Sequence, residues 1–175
     1  CFIIPLALLR KTPSVEFYHI DGVMKNLGAI DKVVHQKGAY SPNIKGHTGK
    51  DKPWYMHLGQ EDNLVVHEGK RIVELYSKKH QKVERFEVTS HTIKHKGKII
   101  FKGPAVFGWP KFVFHRIQSP QGSISTNYAK HFKAFDIKTN FNIYELNTKT
   151  GEYKVLRAGH VDQSPKKNKN FKAKV

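Results

Sequence analysis

From Trp54 to Leu156 the sequence breaks into eleven short runs of β-branched and aromatic residues, each bounded by turn-forming residues, and this spacing constrains the fold more than any other feature. The runs are Trp54–Leu58, Asn63–His67, Arg71–Ser77, Val83–Thr89, Thr92–His95, Lys98–Phe101, Ala105–Trp109, Lys111–Gln118, Ser123–Tyr128, Asn142–Leu146 and Tyr153–Leu156. No segment after Val23 carries a long apolar face at the period of a core helix. The chain is therefore predicted to be all-β, either a sandwich or a closed barrel. His67–Lys70, His95–Lys98 and Asn147–Gly151 read as hairpin connections.

The flanks are less regular. Ser14–Ile20 reads as a strand ending in a turn at Asp21-Gly22, and Val23–Gln36 fits either a helical turn or an irregular strand. Lys37–Lys52 has almost no apolar periodicity and reads as a long loop. Loops of this length often form pocket rims, which makes Tyr40, Lys45 and His47 candidates for substrate binding. The opening CFIIPLALL is too short to cross a bilayer, and Arg10 and Lys11 follow it rather than precede it, unlike the charges of a signal peptide. It is expected to pack as an arm or strand against the barrel or a partner subunit. The resulting division is an arm at 1–13, one β-barrel domain at 14–163 and a basic tail at 164–175. The absence of an initiating Met points to further residues upstream of Cys1.

Cys1 is the one cysteine, so packing rather than an intrachain disulfide must hold the fold, and a reducing, cytoplasmic setting is expected. Thirty-one Lys and Arg against fourteen Asp and Glu give a net charge of +17, a field that attracts anions at long range. Only five of those cations are arginine, the residue that reads bases and phosphates bidentately. That distribution reads as a diffuse field rather than a reading head, so nucleic acid is not the expected partner, and no membrane partner is expected either.

Two segments concentrate the chemistry. In Trp54–Gly69, Tyr55 and His57 share one strand parity, and Asp62, Leu64 and Val66 share parity on the next strand, so a histidine and a carboxylate are placed to face one cavity. In Gly103–Arg116, Val113, His115 and Ile117 share a face, whereas Phe112, Phe114 and Arg116 take the other. An inward imidazole between Val and Ile requires a hydrogen-bond partner or a metal. Competing readings make both histidines hydrogen-bonded core residues and Asp62 a turn residue.

Together the two segments resemble the paired motifs of the cupin superfamily over about residues 53–128. His57 matches the second histidine of the first motif, Tyr55 replaces the first histidine, Asp62 takes the acid position and Gly69 follows at the family distance. Gly103, Pro110, His115 and, at looser spacing, Asn127 match the second motif, with Phe112 where that motif has glycine. The resemblance implies a double-stranded β-helix, or jelly-roll, barrel holding a divalent metal (Fe, Mn, Zn or Ni). It implies His57, Asp62 and His115 as ligands, with Gln60 or Tyr55 completing the sphere. It also implies a small-molecule enzyme acting on a polar or anionic sugar or carboxylate, and a homodimer formed through the opening arm. The loss of the first histidine leaves two alternatives. One is a metal-free sugar-nucleotide epimerase or isomerase with His57 as base and a tyrosine such as Tyr55 as acid. The other is a non-enzymatic ligand-binding barrel.

Overall fold

A computed structural model describes residues 1–12, 15–20, 25, 27–47 and 52–162. Among these the chain forms, in order, β1 (Phe2–Pro5), β2 (Ala7–Thr12), β3 (Val15–His19), β4 (Leu27–His35), β5 (Ala39–Ser41), β6 (Trp54–Tyr55), β7 (Gln60–Gly69), β8 (Arg71–Ser77), β9 (Lys82–Val88), β10 (Thr92–His95), β11 (Lys98–Lys102), β12 (Ala105–Trp109), β13 (Phe114–Ser119), β14 (Ser123–His131), β15 (Ile143–Leu146) and β16 (Tyr153–Arg157). A 3₁₀ turn, Gly159–Asp162, follows. No helix among the described residues is long and apolar enough to cross a membrane. The turn at Asp21-Gly22 and the basic tail lie outside the described residues.

Two antiparallel sheets carry the fold. One has the order β1-β12-β7-β14-β4; the other runs β11-β10-β9-β8-β13-β6-β15-β16, with β5 added on β13, and β2 and β3 form a separate ribbon. Strand alternation sends Leu64, Val66, Phe107 and Trp109 from the first sheet against Val73, Leu75, Phe86, Val88 and Ile93 from the second, which makes the barrel core. The opposite parity of the larger sheet builds a second apolar cluster on its outer face from Trp54, Met56, Tyr76, Phe114 and Tyr144. The architecture is all-β and of the jelly-roll type.

Several local expectations change in the folded chain. The ambiguous segment is a strand at Leu27–His35, because it zips against β14 from Ser123↔His35 to Lys130↔Leu27. Part of the expected loop is also a strand: Ala39–Ser41 pairs with β13. His67–Lys70 is not a hairpin, since β7 and β8 belong to different sheets and the chain crosses between them at Gly69. Gly69 has φ 75°, and a Cβ there would lie 2.2 Å from the Gly122 carbonyl oxygen, so only glycine makes this corner. His95–Lys98 and Asn147–Gly151 do connect paired strands. In the first, Lys96 and Gly97 both take positive φ, the geometry whose twist matches a hairpin.

Strand β13 begins at Phe114, later than its pattern suggests, because Phe112 sits at φ 65° and its N–H donates to the His57 carbonyl. This is the position where the motif noted above carries glycine. A left-handed conformation costs a non-glycine residue about 1–2 kcal/mol. Phe112 is 53% exposed and recovers little of that cost by burial. Phe112→Val, β-branched at positive φ, should therefore lose more than about 1 kcal/mol, while Phe112→Gly stays within about 1 kcal/mol of wild type as backbone relief offsets added unfolded-state entropy. Urea unfolding of the two variants checks the order, and Val tolerated as well as Gly contradicts it.

Candidate functional site

At one end of the barrel interior three strands bring polar side chains together against the core. Tyr55 of β6 pairs with His115 of β13, which pairs in turn with Leu75 of β8, so all three point inward. His57 follows Tyr55 at the same parity. Asp62 of β7 pairs with Trp109 of β12 in the facing sheet. His57, Asp62 and His115 are 5%, 4% and 4% exposed, and one ligand atom from each lies within 4.8 Å of the others. Sequence parity thus places these three correctly, and folding brings them into one group.

Hydrogen bonds fix how these groups face one another. His57 Nδ1 lies 2.5 Å from the Asn140 carbonyl oxygen, and His115 Nδ1 lies 3.2 Å from that of Val113. A carbonyl only accepts, so both rings carry a proton on Nδ1 and turn Nε2 toward Asp62. His57 Nε2 is 3.3 Å from Asp62 Oδ2, and His115 Nε2 is 3.7 Å from the same atom. The other carboxylate oxygen, Oδ1, accepts from Gln60 Nε2 at 2.7 Å and from Asn127 Nδ2 at 2.9 Å. Oδ2 has no hydrogen-bond partner of good geometry; it stands only within ion-pair distance of the two rings. Two imidazole nitrogens and one carboxylate oxygen therefore converge on a point that calls for a positive charge.

That charge demand appears in the protonation preferences. Burial pushes the His57 imidazole toward the neutral form, but Asp62 outweighs it and raises the pKa. Burial likewise opposes ionised Asp62, yet His57, His115 and Gln60 hold the carboxyl well below the usual range. His115, buried and next to the His57 charge, is lowered to about 4. Half-buried His35 at the far end of the barrel, bonded to Ser119 and near Arg71, is also lowered to about 4, chiefly by burial. The folded state thus prefers His35 and His115 neutral, two contributions that outnumber the opposite one from His57, whose charged form the fold favours. Stability from those two is complete above the unfolded value of 6.5 and declines as pH falls toward about 4. Thermal unfolding of metal-free protein should show a falling midpoint across that window; a flat profile would contradict the burial of these rings.

Aromatic rings close the group off. The Tyr55 ring lies 6.3 Å from His57 and 5.9 Å from His115, Phe141 meets His57 edge-on at 5.4 Å and Trp109 lies 5.1 Å from His115. The Tyr55 hydroxyl bonds Ser41, and burial raises its pKa, so it stays protonated. Gln60 has both ends occupied, donating to Asp62 and accepting from Asn140 Nδ2 at 2.9 Å, which orients the acid. Asn127 holds the same oxygen through its Nδ2.

The expected rim residues fall elsewhere. Tyr40 pairs with Gln118, on the parity of Arg116, so it lies on the outer face of the sheet whose inner face carries His115, with Lys52 Nζ 3.6 Å above its ring. Lys45 is exposed, and His47 closes a turn through its N–H to Ile44. Arg116 points outward as parity requires, paired with Glu74 at 2.6 Å and stacked 4.2 Å from the Trp54 ring. Asn140 carries no signal in the sequence. It ends a turn begun by Asp136, and Gly59 and Gly159 let that segment pack close: a Cβ at either would come within 2.6 Å of backbone at Phe135 or Phe141.

No protein-family model matches this chain, and no curated protein matches it. Among solved structures, a dTDP sugar isomerase from Desulfovibrio desulfuricans G20 is similar over 76% of this chain and 79% of its own, with a TM-score of 0.51 and 10% identity. The capsular polysaccharide assembling protein CapF from Staphylococcus aureus aligns over 76% of this chain at 15% identity and a TM-score of 0.40, and this chain spans about a third of it (30%). Strand order, inward-facing polar group and the first of these likenesses agree on one architecture: the chain has the double-stranded β-helix barrel fold of the cupin type.

Proposed function

We propose that this barrel binds a divalent metal ion through His57 Nε2, His115 Nε2 and Asp62 Oδ2, and acts on a small polar or anionic molecule of the sugar or carboxylate class. The observation that carries the reading is the convergence of two lone-pair nitrogens on the one carboxylate oxygen without a hydrogen bond. The backbone carbonyls of Asn140 and Val113 accept from Nδ1 and so set the ring tautomers, leaving each Nε2 lone pair for a metal. Gln60 and Asn127 hold the carboxylate so that Oδ2 stays free. Tyr55, Phe141 and Trp109 keep bulk water away. Two imidazoles and a carboxylate suit Fe, Mn, Ni or Zn, and such an ion supplies Lewis-acid polarisation of a substrate oxygen. Protein purified without a histidine tag should take up about one equivalent of at least one of these metals in calorimetry and raise its unfolding midpoint. Failure to bind any of the four ends this reading.

A second reading is favoured by the His57–Asp62 ion pair and by the Tyr55 ring beside both imidazoles. In it the chain is a metal-free isomerase, with neutral His57 taking a proton alpha to a carbonyl on Nε2, Asp62 stabilising the imidazolium so formed, and Tyr55 returning a proton. The likeness to a sugar isomerase makes a nucleotide-linked keto-sugar the substrate to try. Chelator-treated protein in deuterium oxide should then label that substrate; no label from the chelated form, with label restored by metal, returns the first reading.

A further inference from the structure

The larger sheet carries a cavity that the His57 group does not line. It has a volume of about 900 Å³ and opens where the β8–β9 turn meets the start of β13. Its size falls in the range of small-molecule pockets. The floor is apolar and aromatic, formed by Met56, Tyr76, Phe114 and Tyr153. Phe114, itself buried, packs edge to face against Tyr153 at 5.1 Å, and the Tyr153 ring is the accessible one at 44% exposure. The rim is cationic: Lys78, Lys79, Lys82 and Lys111 all line it, and Lys78 Nζ sits 4.6 Å from the Tyr153 ring centre. Glu84 also lines the cavity, but its carboxylate is occupied by Lys82 at 2.6 Å and His95 at 2.5 Å. The rim field therefore stays positive.

An independent observation points to a missing polar partner. Tyr76 is 1% exposed, and its hydroxyl has no hydrogen bond. It stands beside Gly151 and the Lys78 stem, since a Cβ on Gly151 would lie 3.1 Å from the hydroxyl and 3.9 Å from Lys78 Cγ. A buried phenol without a partner is costly, and a ligand oxygen arriving beside Lys78 would satisfy it. Apolar floor, cationic rim and unpaired hydroxyl together describe one ligand chemistry.

We propose that this cavity binds a small amphipathic anion, an aromatic or other flat apolar body with one anionic group. The apolar body lies on Tyr153, and the anion meets Lys78, Lys111 and the Tyr76 hydroxyl. The net charge of +17 adds long-range attraction for such a molecule. Leu75, Phe86 and Val113, which share the inner face with His115, also line the cavity, but none of His57, Asp62 and His115 does, and the proposal does not depend on the metal reading.

The test uses 8-anilinonaphthalene-1-sulfonate and the neutral N-phenyl-1-naphthylamine as fluorescent probes of the folded protein. The sulfonate should bind saturably at one site, and the neutral probe about tenfold more weakly or less tightly still. Lys78→Glu with Lys111→Glu should weaken the sulfonate by about tenfold or more, whereas Lys32→Glu with Lys102→Glu, an equal charge change elsewhere, should not. Tyr76→Phe should fold normally and lose about two- to tenfold in affinity, the worth of one hydrogen bond. Tyr153→Ala, at a half-exposed ring, gives a second reading of the floor. Equal effects from the two lysine pairs, or a neutral probe that binds as tightly as the sulfonate, overturn the proposal. Self-association that the cavity substitutions abolish, with no saturable probe binding, overturns it in favour of a second copy of the chain.

Discussion

Asp62→Asn is expected to abolish metal binding while leaving the barrel close to wild-type stability, and Asp62→Ala to lose both. In the asparagine variant the retained oxygen still accepts from Gln60 and Asn127. The new amide nitrogen takes the place of Oδ2, 3.3 Å from His57 Nε2 and 3.7 Å from His115 Nε2, and offers its two hydrogens to those nitrogens. Both rings then become neutral, Nδ1-protonated acceptors, so the ion pair is exchanged for hydrogen bonds and net stability changes by less than about 1.5 kcal/mol. A metal at the same point would meet an N–H instead of an anion. Losing an outer-sphere partner alone costs metal sites about 10–100-fold, so losing this ligand should exceed 100-fold. Alanine instead leaves His57 without its counter-charge and Gln60 and Asn127 without an acceptor, at about 3–5 kcal/mol. Calorimetric metal titration and urea unfolding of the pair decide the matter. An asparagine variant that binds metal like wild type removes Asp62 from the ligand set.

Phe107→Ala should produce the largest loss of stability from a single apolar truncation. Phe107 is fully buried, pairs with Leu64 across β12 and β7, and packs its ring 5.0 Å from Phe86 and 6.0 Å from Trp109. Truncation removes the side chain and leaves a cavity between the two sheets, at about 3–5 kcal/mol. For a chain of this size that lowers the unfolding midpoint by about 6–20 °C. Ile99→Ala, on the exposed β11, should stay within about 0.5 kcal/mol. Because Trp109 stands between Phe107 and His115, the truncation should also weaken metal binding in protein that is still folded. A midpoint within 2 °C of wild type would mean that the two sheets do not pack through this ring.

The inward set was legible wherever the period-two pattern was clean. Tyr55 and His57, Asp62 with Leu64 and Val66, and Val113 with His115 and Ile117 lie on the faces that alternation assigns them, because a pleated strand allows one choice only. Arg116 points outward for the same reason. Alternation says nothing about which strands are neighbours. His67–Lys70 has the residues of a hairpin yet joins two sheets, and Ala39–Ser41 has the composition of a loop yet finds an open place beside β13. Tyr40 was misplaced for that reason, since its pairing with Gln118 decides its side of the sheet.

The sequence by itself determined that the chain is β-rich, that it is strongly basic, and which neighbours share a strand face with His57, Asp62 and His115, because composition and strand parity are local properties. Only the tertiary structure decided that those three meet at one point. It also supplied what orients them: the Asn140 and Val113 carbonyls, the Gln60 and Asn127 amides, and the absence of a partner for Asp62 Oδ2. Hydrogen-bond direction at a buried site depends on backbone arriving from elsewhere in the chain, and Asn140 lies eighty-three residues beyond the ring it holds.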